Sequence, residues 1–234
     1  AACNLTRQAT NKELQHMIWI CPVDDCIHKD LSFLEDLLST VRYQKMKRYY
    51  FHKDRNLCML SFILIRFALY QEYHICDIPN IMLSDNQKPV FKNLPLHFNL
   101  SHCERGILCA LDVAPVGVDI QNETAWLSDL LVDVLTKNES AIVKREPKEF
   151  WRFWTLKEAY GKYHGKGICY DLAHTDFSSI CNQCVWQTFE EKKVRSWSEQ
   201  DFAISIFSNN FLEIERIDLL DLFKFKTMIN RKNI

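Results

Sequence analysis

The pattern that most constrains this chain is a duplicated one. A strand-like run of alternating polar and apolar residues, a tight polar connection and a second such run occur at "LHFNLSHCERGILCALDV" (96–113). They occur again at "DFAISIFSNNFLEIERID" (201–218), with Ser208-Asn209-Asn210 at the turn. Each follows an amphipathic, helix-like region. A period of two predicts strands with one face toward a core, and a period of 3.6 predicts helices that cover that face. The repetition predicts an α+β chain of two similar halves, each a small antiparallel sheet packed with helices, divided near Ala114-Pro115 into residues 1–114 and 115–234.

Between the repeated features, residues 11–20 pass from polar to strand-like, and residues 30–73 read as one long helical region. "IMLSDNQKPVF" (81–91) reads as strand–turn–strand, "VGVDIQ" (116–121) as a strand and 127–143 as amphipathic. Residues 147–164 form a helix with Pro147 near its first turn. Punctuation is sparse, with five glycines and six prolines and no low-complexity linker.

Hydrophobic residues make up 47% of the 234 and charged residues 25%, the profile of a soluble globular protein. A net charge of −1 argues against a general nucleic-acid binder, so any basic site is local. The longest apolar run, "MLSFILIRFALY", is interrupted by Arg66 and too short for a membrane span. The N-terminal stretch lacks the apolar core of an export signal, so a cytoplasmic location and ten mostly reduced cysteines are expected. "CNQC" (181–184) has metal-like spacing but no second pair at a suitable distance.

The chemistry concentrates in three strings. In "WTLKEAYGKYHGKG" (154–167), Trp154, Glu158 and Lys162 fall at i, i+4 and i+8, on one helix face, with Lys157 on its flank. In "VGVDIQ", Val116, Val118 and Ile120 point one way and Gly117, Asp119 and Gln121 the other. Asp119, Gln121 and Glu158 together offer an oxygen-only set with few carboxylates, which suits Mg²⁺, or Mn²⁺ in its place, sharing phosphate oxygens with a substrate. In "FNLSH", Asn99 and Ser101 alternate with Phe98 and Leu100, and His102 ends the strand. Adjacent Ser and His on an extended strand point apart, which disfavours a nucleophile–base pair and suits donors to phosphate. Lys88 precedes Pro89 on a stiffened loop, placed to reach an anion. "GKYHGKG" is not a P-loop, having three residues between its glycines and no Ser/Thr after the lysine. A metal-dependent nuclease would set its Glu and Lys two apart on a strand within a broad basic surface. A binding scaffold without activity would be expected to lack Asp119, Glu158 or Lys162.

"KP…FNLSH", "GVDIQ" and "WTLKEAYGK", in this order and spacing, resemble the Sfp-type 4′-phosphopantetheinyl transferases, and "RYYFHKDRNLCMLSFILIR" is similar to the family's segment upstream of the first motif. The resemblance implies a pseudo-dimer of two α+β halves with coenzyme A in the cleft between them. It implies transfer of the pantetheine phosphate of coenzyme A to a carrier-protein serine, with release of adenosine 3′,5′-bisphosphate. Asp119 and Glu158 match the metal ligands, Glu158 also the general base, and Lys162 the lysine on the phosphates. Lys88, Ser101 and His102 match coenzyme A contacts, with Pro89 and Lys157 grouped beside them. Lys53 aligns with a basic residue near the 3′-phosphate, with Lys45 and Arg55 as rivals. Gln121 stands where bacterial prototypes have Glu. The size suggests a monomer serving acyl or peptidyl carriers of peptide, polyketide or siderophore synthesis. Docking is expected on the second half, around Leu130, Leu131, Val134, Lys144, Arg145 and Lys148.

Overall fold

The computed structural model describes residues 17–23, 25–123, 133–166 and 174–232. The described residues begin with strand β1 (Met17–Pro22), followed by two 3₁₀ turns and helices α1 (Thr40–Lys47) and α2 (His52–Tyr73). A short antiparallel pair, β2 (Ile81–Leu83) and β3 (Pro89–Phe91), leads to the hairpin β4 (His97–Cys103) and β5 (Gly106–Asp112). Strand β6 (Val116–Asn122) precedes helices α3 (Lys137–Val143) and α4 (Glu149–His164). Strands β7 (Gln183–Phe189), β8 (Lys192–Glu199), β9 (Phe202–Ser208) and β10 (Glu213–Arg216) follow, and helix α5 (Leu219–Lys232) comes last.

Two four-stranded sheets result, in the orders β10-β1-β5-β4 and β6-β9-β8-β7. Their apolar faces meet. Ile18, Ile20, Leu108 and Ala110 of the first sheet share a buried cluster with Val116, Val118, Ile120, Ile204 and Ile206 of the second. The opposite face of the first sheet, through Trp19, Cys109 and Leu111, packs on α2 and α5. The opposite face of the second, through Val194 and Phe207, packs on α4. The layers therefore run helix, sheet, sheet, helix. The parity expected for "VGVDIQ" is what this layering needs, since its valines and isoleucine enter the inter-sheet core.

Two expectations are corrected. The region 30–73 is not one helix. Ser39 caps α1 by accepting the Arg42 N–H at 3.1 Å, and the chain reopens at Arg48–Phe51 before α2. Arg42 then donates to the Cys58 carbonyl at 2.7 Å and Arg55 to the Tyr49 carbonyl at 2.8 Å, which closes the break with side chains rather than glycine or proline. The second repeated "hairpin" is not one either. β9 pairs with β6 and β8, while β10 crosses to lie parallel beside β1, Met17 opposite Glu213. The counterpart of β4–β5 is β8–β9, and β1 beside β5 is matched by β6 beside β9. β10 and α5, at the far end of the sequence, complete the layer built by β1, β5 and α2. At the crossing, the buried Asp112 carboxylate accepts from Ser208 Oγ (2.7 Å) and Asn210 Nδ2 (2.8 Å). No helix among the described residues is long and apolar enough to cross a membrane.

Candidate active site

β4 is the free edge of one sheet and β6 the free edge of the other. The two edges face each other without backbone pairing, which leaves β6 with outward carbonyl and N–H groups that must be satisfied. Four side chains do so. Lys88 Nζ donates to the Val116 carbonyl (3.0 Å), and Asn99 Oδ1 accepts the Val118 N–H (2.8 Å). Lys162 Nζ donates to the Val118 carbonyl (3.3 Å), and Ser101 Oγ accepts the Ile120 N–H (3.4 Å). These residues come from β4, α4 and the loop before β3, and they stand in for a missing strand.

Asp119 projects from this edge and is 1% exposed. Its Oδ1 receives Ser101 Oγ and Lys162 Nζ, each at 2.6 Å, and its Oδ2 receives Gln121 Nε2 at 3.2 Å. Lys162 Nζ also reaches Ser101 Oγ at 3.1 Å. Glu158 lies one helical turn before Lys162. Its Oε1 is buried with no hydrogen-bond partner, and burial, then the neighbouring Asp119 charge, raises its pKa against the opposing pull of Lys162. Lys162 thus pairs with Asp119, and the Oε1 of Glu158 beside them is unanswered. A buried polar atom in that condition is costly, so the chemistry of the set fits a cation held by Asp119 and Glu158. Gln121 turns its amide toward the same carboxylate, and its oxygen and nitrogen exchange places by rotation about one bond. Among the described residues no three His, Cys, Asp or Glu side chains gather at one point, so the set has two carboxylates and an amide.

Helix α4 can come this close because residue 117 is glycine. A Cβ there would lie 2.1 Å from the Ala159 carbonyl oxygen and 2.4 Å from the Tyr163 nitrogen. The helix ends where Gly165 adopts φ +69°, its N–H on the Lys162 carbonyl and that of Lys166 on the Gly161 carbonyl. The first glycine of "GKG" is therefore a helix stop; Gly167 lies outside the described residues. On the sheet side, Thr155 Oγ1, Ser205 Oγ and Ser196 Oγ form a buried chain of hydroxyls at 2.8 and 2.9 Å.

The ligand-contact candidates divide. Lys88 joins the seam, and burial lowers its pKa to about 8. His102 sits at the surface of the same strand; desolvation, then Arg42, Lys162 and Lys45, lowers its pKa, which favours the neutral imidazole. Ser101 is buried and its hydroxyl is committed to Asp119, Lys162 and Ile120, so it acts on the carboxylate rather than standing open to a ligand. Pro89 opens β3 at an exposed position. Lys53 pairs with Glu104 across the β4–β5 turn at 2.9 Å; Arg55 is held by Tyr49, while Lys45 is close enough to bear on His102. Lys157 does not join the seam: it is fully buried, its Nζ 2.9 Å from Glu139 Oε2 and 2.8 Å from the Thr175 carbonyl. Glu139 also closes the capping box of α3 with Thr136, so Lys157 ties two helices together. Asn99 and Gly117 are the site residues that sequence reasoning did not single out. Asn99 had the same strand parity as Ser101, and Gly117 the parity of Asp119. Leu130 and Leu131, expected at a docking surface, lie outside the described residues.

The sequence profile of the 4′-phosphopantetheinyl transferase superfamily matches residues 115–211. Among curated proteins, the chain is 31% identical over 168 residues to the 4′-phosphopantetheinyl transferase psf-1 of Bacillus pumilus, covering 67% of this chain and 70% of that one. It is 29% identical over 143 residues to the 4′-phosphopantetheinyl transferase Sfp of Bacillus subtilis (58% and 63%). It is 32% identical over 146 residues to the 4′-phosphopantetheinyl transferase gsp of Aneurinibacillus migulanus (58% and 60%). The matched stretch thus spans 60% of gsp, 63% of Sfp and 70% of psf-1. The profile ends at residue 211, close to where the chain leaves the second sheet for β10 at Glu213.

Proposed function

The chain belongs to the 4′-phosphopantetheinyl transferase superfamily, and on that premise we propose that it moves the 4′-phosphopantetheine group of coenzyme A to a serine of an apo carrier protein. The observation that carries the reading is the seam cluster: a buried, unpartnered Glu158 oxygen beside Asp119, with Lys162 one turn on. The serine oxygen attacks the phosphorus that bears pantetheine, and the bond to the bridging pyrophosphate oxygen breaks. Adenosine 3′,5′-bisphosphate leaves, and the serine proton passes to a base. Glu158 is that base, directly or through a water, since its buried Oε1 has no other hydrogen-bond partner. Lys162 moves its charge from Asp119 to the leaving phosphate, and Lys88 and His102 hold the pyrophosphate. Asp119 and Glu158 would hold Mg²⁺, with the Gln121 amide beside them. A cation bound there neutralises developing phosphate charge. Ser101 and Asn99 fix the strand and the carboxylate on which this depends.

The test is intact-mass spectrometry of an apo carrier domain incubated with coenzyme A and Mg²⁺. Wild-type protein should add one phosphopantetheine per serine. Asp119→Ala and Glu158→Ala should add none while keeping the wild-type circular dichroism. Transfer at the wild-type rate by either variant removes these carboxylates from the reaction. A panel of acyl, peptidyl and aryl carriers identifies the acceptor class.

A further inference from the structure

Residues 40–53, which make up α1 and the turn into α2, hold Arg42, Lys45, Lys47, Arg48 and Lys53 and no acidic residue, in a chain whose net charge is −1. Val41, Lys45 and Arg48 share one face of α1 at i, i+4 and i+7, and all three are exposed. The turn that follows carries Tyr50, 87% exposed, with Phe51 edge-on to it at 5.1 Å, and Val41 is 77% exposed. Large apolar side chains set together in water on a basic surface mark contact with another molecule. Aromatics and arginine are the residues most enriched in protein interfaces.

The patch borders the seam. Arg42 and Lys45 are near enough to His102 to depress its pKa, and Lys53 bonds Glu104 two residues beyond it. Any macromolecule that presents a hydroxyl to Glu158 and Lys162 must cover part of the surface around the seam, and the Lys53–Glu104 pair brings the start of α2 to the end of β4 there. The basic stretch of the second half offers less. Lys144, Arg145 and Lys148 are exposed, but Glu146 lies among them, Lys148 is drawn to Glu123 at 4.0 Å, and Val134 and Ile142 are half-buried.

We propose that the face made by Val41, Arg48, Tyr50 and Phe51 is the docking surface for the acceptor protein, and that it receives an acidic surface next to the acceptor serine, with Tyr50 as the apolar anchor. The acceptor's identity as a carrier rests on the transferase reading; its acidic character follows from the charge of the face. Complementary charge of this kind steers encounter and weakens with salt. An anionic bilayer would also attract the bases, but a two-turn helix with three exposed apolar side chains buries little area in lipid, and a bilayer brings no hydroxyl to the seam.

The experiment measures binding without transfer. An acidic apo carrier domain, its acceptor serine replaced by alanine, is titrated calorimetrically into wild-type protein and into two variants, Arg48→Glu and Tyr50→Ala, at low and physiological salt. Both side chains are exposed, and circular dichroism checks the fold. Each variant should weaken carrier binding by about tenfold or more. The charge reversal should also flatten the salt dependence, and in transfer assays the KM for coenzyme A should stay unchanged in both. Unchanged carrier affinity in both variants overturns the docking face. So does a rise in the coenzyme A KM alone, which would give the face to the nucleotide. Loss of binding to mixed phosphatidylcholine–phosphatidylserine vesicles with carrier affinity intact overturns it in favour of a membrane. A wild-type protein that binds the carrier through this face, yet transfers nothing to the serine form, overturns the transferase reading and leaves the face standing.

Discussion

Gly117→Ala is the sharpest test of how the site is assembled. The new Cβ would stand 2.1 Å from the Ala159 carbonyl oxygen, where ordinary contact begins at 3.4 Å. The obstacle is the backbone of α4, which has no flexible end to swing aside, so helix and strand must separate by about 1.3 Å at this point. Glu158 and Lys162 ride on that helix, and the 2.6 Å contact between Lys162 and Asp119 would stretch beyond hydrogen-bond range. A displacement of about 1 Å at a catalytic constellation costs on the order of 100-fold in rate. Overpacking costs about 1–3 kcal/mol, or several degrees of Tm in a domain of this size. Initial rates of carrier modification and a thermal melt measure both. The expected result is a folded protein, a few degrees less stable, with transfer down about 100-fold. If Gly117→Ala melts and reacts like wild type, the close crossing of α4 over β6 is wrong, and so is the cluster built on it.

Lys157→Ala should cost about 3–5 kcal/mol in a urea titration, because it strands Glu139 in the interior, while leaving the KM for coenzyme A unchanged in the surviving folded protein. Glu158→Gln should abolish transfer yet raise the melting temperature near neutral pH without divalent cations. The folded-state pKa of Glu158 lies above its unfolded value, so its stabilising effect is full below the unfolded value near 4.5 and is lost as pH rises through the folded one. The gain should therefore shrink toward pH 4. Gln121→Glu exchanges a donor to Asp119 for a third carboxylate, so the Mg²⁺ concentration for half-maximal rate should fall and the metal-free protein should melt lower. An unchanged Mg²⁺ midpoint would place residue 121 away from the cation. In wild type, the KM for coenzyme A should rise as pH passes through about 8, where Lys88 loses its charge, and Lys88→Arg should remove that rise.

The site was largely legible because its signals are local. Helical spacing put Glu158 and Lys162 on one face, strand parity put Asp119 and Gln121 on another, and both periods survive any tertiary arrangement. The partner of β10 was not legible. Four residues after a polar turn look the same whether they fold back on β9 or cross to β1, since a period of two names a face and never a neighbour. The break between α1 and α2 was hidden for a related reason. No glycine or proline marks it; its markers are Ser39, an ordinary helix cap, and two arginines whose carbonyl partners are tertiary. The burial of Lys157 was not legible, because a helical lysine is usually exposed and its partner Glu139 lies on a different helix.

The crossing of β10 to β1 bears on how the molecule is made. Residues 213–232 supply one edge and part of the helical cover of the sheet that β1 begins, so that sheet cannot finish until almost 200 residues after it starts have been synthesised. The central sheet of the second half is built from β6 to β9, all of it earlier in the chain than β10. On the ribosome, the second sheet can therefore be complete while the first still waits for its last strand. A nascent chain stalled near residue 211 should expose the apolar faces of β1 and α2 that α5 later covers, and it should be correspondingly dependent on chaperones.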